Sequence, residues 1–366
     1  MNLYEILNKF FNLNATFSLI NVSIFAFLTS LFLMLILGNP YIRLIKKTKQ
    51  MIQPIRSDGP QTHLVKHGTP TLGGFLIIIT FIFSTLLWVD RVNNLVAITL
   101  FVIVSFAIIG LIDDLLKLFF KNTKGLSGKL RLFLEFIISI LAIYGLMFTY
   151  PLELSHATIF PFVKIFSIDL GIFIYVFSAF VIMGSANGLN LTDGLDGLAS
   201  WVSAVILTGL ILLIVLIISP SLYVGYAKLG FLKDNGGFYM MQLNNLIVLI
   251  SALVGSIIGF LWFNSYPAKI FMGDVGSLGI GSAIGIIVVI LKHELFLILA
   301  GIILIVESLS VIIQVYYYKA TKKRIFLMAP IHHHYEKKGY RETTIVNRML
   351  IITIIFVLLA ISLLDF

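Results

Sequence analysis

Apolar runs of about twenty residues recur along this chain, and that repetition limits its fold more than any other feature. Twenty helical residues rise about 30 Å, the thickness of a bilayer's hydrocarbon core. Windows of about nineteen residues place ten such runs, near 18–41, 71–89, 95–115, 132–150, 171–187, 198–218, 246–263, 276–292, 295–318 and 349–365. Hydrophobic residues make up 59% of the chain and charged residues 12%, against roughly 45–50% and about 25% in soluble domains. A soluble core of 366 residues cannot hide that much apolar surface. The expected fold is all-α, a single polytopic transmembrane helical bundle over residues 1–366, although length alone suggests two domains. Gly184 and the polar stretch after it predict an early end to the fifth span. Residues 1–17 carry Leu3, Ile6, Leu7, Phe10 and Phe11, a pattern that suits either a surface-lying amphipathic helix or an N-terminal cap. They show no signal-peptide pattern.

Lys and Arg sort by side. Of 26 basic residues, 20 fall in the loops near 42–70, 113–131, 188–197, 264–275 and 319–348, and none falls in the interior of a span. The positive-inside rule puts these loops in the cytoplasm and both termini outside it. The formal charge of +9 therefore reflects membrane orientation, and no nucleic-acid partner is expected. With no cysteine in the chain, disulfides, thiolate nucleophiles and cysteine metal sites are excluded. No internal repeat supports an inverted-repeat transporter.

Five polar clusters lie on the cytoplasmic side: His63 to Gly74, Asp113 to Lys117, Asn187 to Gly197, Asn264 to Ser277, and Pro330 to Gly339. Ionisable groups at membrane depth are costly and are functional by default. Asp113 and Asp114 end the third span, about 100° apart around a helix, with Lys117 within reach of both. A plain acidic helix end with a local ion pair is the simpler reading of DDxxK taken alone. Carboxylates there oppose the macrodipole and call for a cationic partner, Mg²⁺ or lysine. Asn190, Asp193 and Asp196 share one face if their segment is helical, suited to sugar hydroxyls, a uracil or a metal; helix capping explains one of them. Asp274 opens the eighth span in a Gly-Asp-x-Gly-Ser turn, where free amides suit a phosphate. Phe271 could stack on a base or serve as a membrane anchor. His332, His333 and His334 are consecutive and so do not share one helix face for zinc; hydrogen bonding to phosphate with one or two rings partly protonated fits better, beside the alternative of a solvated loop. Glu307 and Gln314 could simply bond neighbouring helices.

Together these groups suit phosphoryl transfer, which asks chiefly for charge neutralisation and alignment. A few aspartates suffice to hold Mg²⁺. Lys66, Lys117, Lys124 and Lys129 can bind phosphates as point charges. The absence of GxxxxGK[ST] leaves no P-loop mechanism. A substrate dissolved in the bilayer would account for so hydrophobic an enzyme.

The ordered motifs H-x-x-K-x-G-T-P-T, D-D-x-x-K, N-x-x-N-x-x-D-G-x-D-G, F-M-G-D-x-G-S and P-I-H-H-H resemble those of the polyprenyl-phosphate N-acetylhexosamine-1-phosphate transferase superfamily. The likeness runs from about Asn39 to Arg348. The triple histidine followed by Glu336-Lys-Lys-Gly339, with the long His63–Gly74 motif, is similar to the muramoyl-pentapeptide branch. Leu72, Tyr340 and Met349-Leu350 depart from that branch's usual methionine, tryptophan and more aromatic pair. The resemblance implies ten helices in a bacterial inner membrane, a cytoplasmic active site and Mg²⁺ as cofactor. It implies transfer of phospho-MurNAc-pentapeptide from UDP-MurNAc-pentapeptide to undecaprenyl phosphate, giving lipid I and UMP for peptidoglycan, and a possible homodimer. Asp274 would bind Mg²⁺, and Asp113 and Asp114 would serve the lipid phosphate or the metal. Lys66, Thr71, Asn190, Asp193, Asp196, Asn264, Phe271, Ser277, Gln314, His333 and His334 would line the nucleotide-sugar site. A sister enzyme moving GlcNAc-1-phosphate and a transporter are the alternatives, and a transporter would place its acids near the midplane.

Overall fold

The computed structural model describes residues 19–47, 68–120, 125–149, 156–160, 166–219 and 236–364. Twelve helices lie within them: α1 Leu19–Lys47, α2 Gly73–Trp88, α3 Asn94–Phe119, α4 Gly128–Met147, α5 Phe173–Thr192, α6 Leu198–Ile218, α7 Gly236–Asn264, α8 Asp274–Ile290, α9 Phe296–Ala300, α10 Ile302–Thr321, α11 Ile331–Lys337 and α12 Glu342–Ser362. Eight are long and apolar enough to cross a membrane, and α2 and α8 are shorter apolar helices. Nine of the ten expected spans thus coincide with a single helix and the ninth with two, and the protein is an all-α polytopic membrane protein. Among the described residues two strands form a hairpin, β1 Ala157–Phe160 paired antiparallel with β2 Phe166–Asp169, in a segment expected to be a loop.

The bundle is organised around α8. Every residue from Val275 to Ile290 is buried, so this helix faces protein on all sides. Its 17 residues rise only about 26 Å, and the connection after it is buried in protein, where irregular backbone is tolerated at membrane depth. Glycine permits the packing. A Cβ on Gly276 would overlap Met272 and Gly74, and one on Gly281 would press on the backbone of α5 at Ser185 and Ala186. Without side chains at the crossings, α8 can touch the backbones of its neighbours.

Several boundaries differ from the sequence reading. The fifth span does not end at Gly184, because α5 continues to Thr192. Asn187 Nδ2 donates to Met183 O at 2.9 Å, within the helix's own preceding turn, and so fits the extended helix. Asp113 and Asp114 do not terminate the third span, because α3 runs on to Phe119. The ninth span is split at Gly301 into α9 and α10.

Hydrogen bonds define the two ends of the bundle. At one end Tyr41 donates to Leu72 O, Val275 N to Asp114, Asn190 to Asp274, and Asp196 N to Glu342. At the other, Ile159 N donates to Lys292 O, Tyr239 to Ile290 O, and Asn93 to Gln242 O. Most of the predicted polar residues collect at the first end.

Candidate active site

Asp274 is the centre of the cluster. It is the first residue of α8 and follows Gly273, whose φ of 76° is in the left-handed region that favours glycine. Lys117 Nζ donates to Asp274 Oδ2 at 2.8 Å and pairs with Asp113 Oδ2 at 2.5 Å. Asn190 Nδ2, from the last turn of α5, donates to Asp274 Oδ1 at 2.8 Å and to Ser277 Oγ at 2.9 Å. Three helix ends therefore contribute to one polar knot.

Asp113 and Asp114 diverge as their helical positions require. Asp113 Oδ1 accepts from Leu126 N at 2.6 Å and so holds the connection into α4. Asp114 Oδ2 accepts from Val275 N at 3.2 Å, at the N-terminus of α8, where free amides and the macrodipole favour a negative charge. Lys117 bonds Asp113 and Asp274; the expected contact with Asp114 is replaced by one with the facing helix. Thr71 is buried beside Gly273, and its hydroxyl has no hydrogen-bond partner among the described residues.

Arg131 is a residue that the sequence reading missed. Its Nη1 lies 3.7 Å from Asp274 Oδ2, its Nη2 donates to Asn187 Oδ1 at 2.7 Å, and its Nε lies 3.5 Å from Glu135 Oε1. Asn187 Nδ2 in turn donates to Glu135 Oε2 at 2.5 Å. Lys129, the expected phosphate ligand on this helix, is exposed. Residues two apart on a helix point about 200° apart, so only one of them can face the site. The signal available in the sequence was Glu135, an acid inside an apolar helix with a basic residue four positions before it.

The remaining candidates separate into those that face the knot and those bound to backbone. Asn190, Asp193 and Asp196 do not share a helix face, because α5 ends at Thr192 and Asp193 begins a turn. Asp196 is buried, and its Oδ2 accepts from Ala268 N at 2.9 Å. Asn264 is also buried: its Oδ1 accepts from Gly197 N and Ser200 Oγ, and its Nδ2 donates to Ile270 O. Phe271 is half-buried, and its backbone pairs with Pro70 and Gly73. Gln314 holds the segment before α11, accepting from Ile325 N and Phe326 N and donating to Phe326 O. Asp196, Asn264 and Gln314 thus shape the site through the backbone. Lys66, His63 and Lys124 lie outside the described residues.

The three histidines on α11 have three environments. His332 is fully buried with its Nδ1 3.1 Å from Glu307 Oε2. His333 Nδ1 lies 2.6 Å from Glu336 Oε2. His334 Nδ1 accepts from Leu327 N at 3.1 Å. Its pKa is lowered, first by desolvation and then by the nearby Lys338 charge, which favours the neutral ring. That disfavours the expected protonated state at His334.

The donor set suits a hard divalent cation in kind. Asp113, Asp114 and Asp274 offer carboxylate oxygens, with Asn190 and Ser277 beside them, and Mg²⁺ takes such ligands while keeping several waters. Three carboxylates, Asp113, Asp274 and Glu135, face two cations, Lys117 and Arg131, with Asp114 held on Val275 N beside them. The Lys117 ammonium between two carboxylates marks a position that favours positive charge. Among the described residues no group of three His, Cys, Asp or Glu is already gathered around one point, so the fit is one of donor chemistry.

Residues 96–292 match the family model described as glycosyl transferase family 4. The chain is 45% identical over 286 residues to a phospho-N-acetylmuramoyl-pentapeptide-transferase of Rickettsia prowazekii (strain Madrid E), covering 78% of this chain and 76% of the relative. It is 46% identical to the protein of that name from Rickettsia felis (strain ATCC VR-1525 / URRWXCal2) and 43% identical to that of Rickettsia bellii (strain OSU 85-389), with the same coverage. The chain belongs to glycosyl transferase family 4 and, within it, to the phospho-N-acetylmuramoyl-pentapeptide-transferases.

Proposed function

We propose that this membrane enzyme transfers phospho-MurNAc-pentapeptide from UDP-MurNAc-pentapeptide to undecaprenyl phosphate, giving lipid I and UMP in peptidoglycan synthesis. The observation that carries the reading is the knot at the start of α8, where Lys117, Arg131 and Asn190 meet Asp274 at the N-terminus of a buried helix. Both substrates present phosphates, and a site that brings two cations to a helix N-terminus is chemically matched to them.

In the reaction a lipid phosphate oxygen forms a bond to the sugar-linked phosphorus. The diphosphate P–O bond breaks, and UMP leaves with the bridging oxygen. Lys117 and Arg131 are placed to neutralise charge on the diphosphate, and Arg131 offers a planar fork for two phosphate oxygens. Asn190, itself held by Ser277 Oγ, orients Asp274. Asp114, held on Val275 N, fixes the N-terminus of α8 relative to α3. Asp274 with Asp113 or Asp114 would hold Mg²⁺, which when bound stabilises charge on the transferring group.

Thr71, Phe271, Asp193 and His333 complete the proposed nucleotide-sugar side, with Lys66 contributing by its motif position. Asp196, Asn264, Gln314 and His334 shape that side through the backbone bonds described above. The site faces the cytoplasm of a bacterial inner membrane, as the basic loops indicate.

The deciding experiment incubates purified protein with radiolabelled UDP-MurNAc-pentapeptide, undecaprenyl phosphate and Mg²⁺. Labelled lipid and UMP in equal amounts are expected, with UDP-GlcNAc inert; turnover of UDP-GlcNAc instead would assign the sister activity. Because the chain has no cysteine, orientation can be read from Lys338→Cys, which should react with an impermeant maleimide only in opened cells. Labelling in intact cells would reverse the assignment.

A further inference from the structure

Glu307 is a carboxylate inside a membrane-spanning helix, and the reaction as derived gives it no part. It sits on α10 with no solvent exposure. An isolated charge in such a place is costly unless it is paired. The group that meets it is His332, also fully buried, with Nδ1 3.1 Å from Glu307 Oε2. The two groups are at ion-pair distance without the alignment of a hydrogen bond, and among the described residues neither side chain has a hydrogen-bond partner elsewhere.

The other edge of the His332 ring abuts the turn after α5. A Cβ built on Gly194 would overlap Nε2 and Cε1 of His332. The imidazole is therefore packed between Glu307 on one edge and the Gly194 backbone on the other. Gly194 lies between Asp193, where α5 ends, and Asp196, whose carboxylate accepts from Ala268 N. Four residues before Gly194 is Asn190, which holds Asp274. Carboxylate pairing at Nδ1 fixes the orientation of a histidine ring and which nitrogen faces outward. Here the ring's position sets how far the 193–197 turn can settle toward α11.

We infer that Glu307 and His332 form a buried positioning pair that sets the Asp193–Gly197 turn for binding of the nucleotide-sugar substrate. Neither residue touches the reacting atoms; Glu307 acts through His332, and His332 through the Gly194 backbone. The inference rests on the proposed function, because it assigns the turn to the UDP-sugar side of that reaction.

The test is steady-state kinetics of the full-length enzyme with each substrate varied separately. Glu307→Gln keeps the volume and removes the charge that holds the ring. Its KM for UDP-MurNAc-pentapeptide is expected to rise about tenfold, the scale of one buried polar group losing its partner. KM for undecaprenyl phosphate and kcat at saturation should stay within about twofold, a split that general loss of structure does not produce. Gly194→Ala pushes the ring from its other edge and should give the same split. In the Glu307→Gln/Gly194→Ala double variant the effects should be less than additive, since both act through one ring.

Equal losses in kcat for both substrates, an unchanged KM, or failure of both variants to yield folded protein would each overturn the inference. A wild-type enzyme that does not turn over UDP-MurNAc-pentapeptide would instead overturn the proposed function.

Discussion

Lys117 Nζ donates to Asp274 Oδ2 across 2.8 Å, joining two side chains 157 residues apart in the chain. The same ammonium pairs with Asp113, so a single cation separates two carboxylates from different helices. Lys117→Met leaves those carboxylates facing each other with Arg131 as the remaining cation identified at Asp274. Turnover should fall ~10²-fold or more, the typical cost of removing one group that stabilises transferring charge. Size-exclusion chromatography in detergent checks that the variant is folded. Activity within threefold of wild type would place the lysine in a structural role only.

Asp274→Asn keeps the size of the side chain at the centre of the knot and removes its charge. Turnover should drop ~10²-fold or more if Asp274 holds the metal, since metal stabilisation is worth several kcal/mol. A Mg²⁺ titration reads this directly. Normal activity at ordinary Mg²⁺ concentrations would exclude Asp274 as a ligand.

Arg131 and Lys129 provide an internal contrast, being two residues apart on α4. Arg131→Met should lower kcat/KM by about tenfold or more, because a charge-assisted contact to phosphate contributes ~1.5–3 kcal/mol. Lys129→Met, at an exposed position, should change it less than twofold. The reverse order would return the phosphate contact to Lys129.

Packing at the site depends on Gly110, where an added Cβ would overlap the backbone of Asp274 and Val275. Gly110→Ala should destabilise the protein by about 1–3 kcal/mol, as overpacking does, and should lower activity by shifting α8. Gly128→Ala is the control, because nothing lies within 4 Å of its added Cβ. Thermal unfolding in detergent should separate the two variants.

His293 gives the far end of the bundle a pH dependence. It lies between α8 and α9, and burial lowers its pKa from 6.5 to about 4. The folded state holds the ring neutral, so its contribution is intact above the unfolded value near 6.5. That contribution is lost as pH falls through the window from 6.5 to about 4. The full effect is on the order of 3 kcal/mol. The melting temperature should fall across this window, and His293→Gln should flatten the fall. The variant also isolates His293 from Glu294, whose pKa burial raises and whose contribution has the opposite slope. A profile unchanged by the substitution would exclude His293 as the titrating group.

The sequence by itself determined the class of the protein and the order of its motifs. Hydrocarbon thickness sets a minimum apolar length for a helix, and charge resists crossing the bilayer, so spans and a basic face are readable in one dimension. Asp113, Asn190 and Asp274 were legible for the same reason, as polar residues at the ends of apolar runs. Only the tertiary structure decided which side chains meet. Arg131 faces Asp274 while Lys129 is exposed, because helix phase relative to a neighbour is fixed by tertiary packing. Asp196, Asn264 and Gln314 bond backbone because α5 ends at Thr192 and the segment before α11 folds back on α10. Glu135 and Glu307 read as isolated acids in apolar helices until Asn187, Arg131 and His332, distant in sequence for all but Arg131, arrive beside them. A buried charge is tolerated only with its partner, and for these two acids the fold supplies partners from other helices.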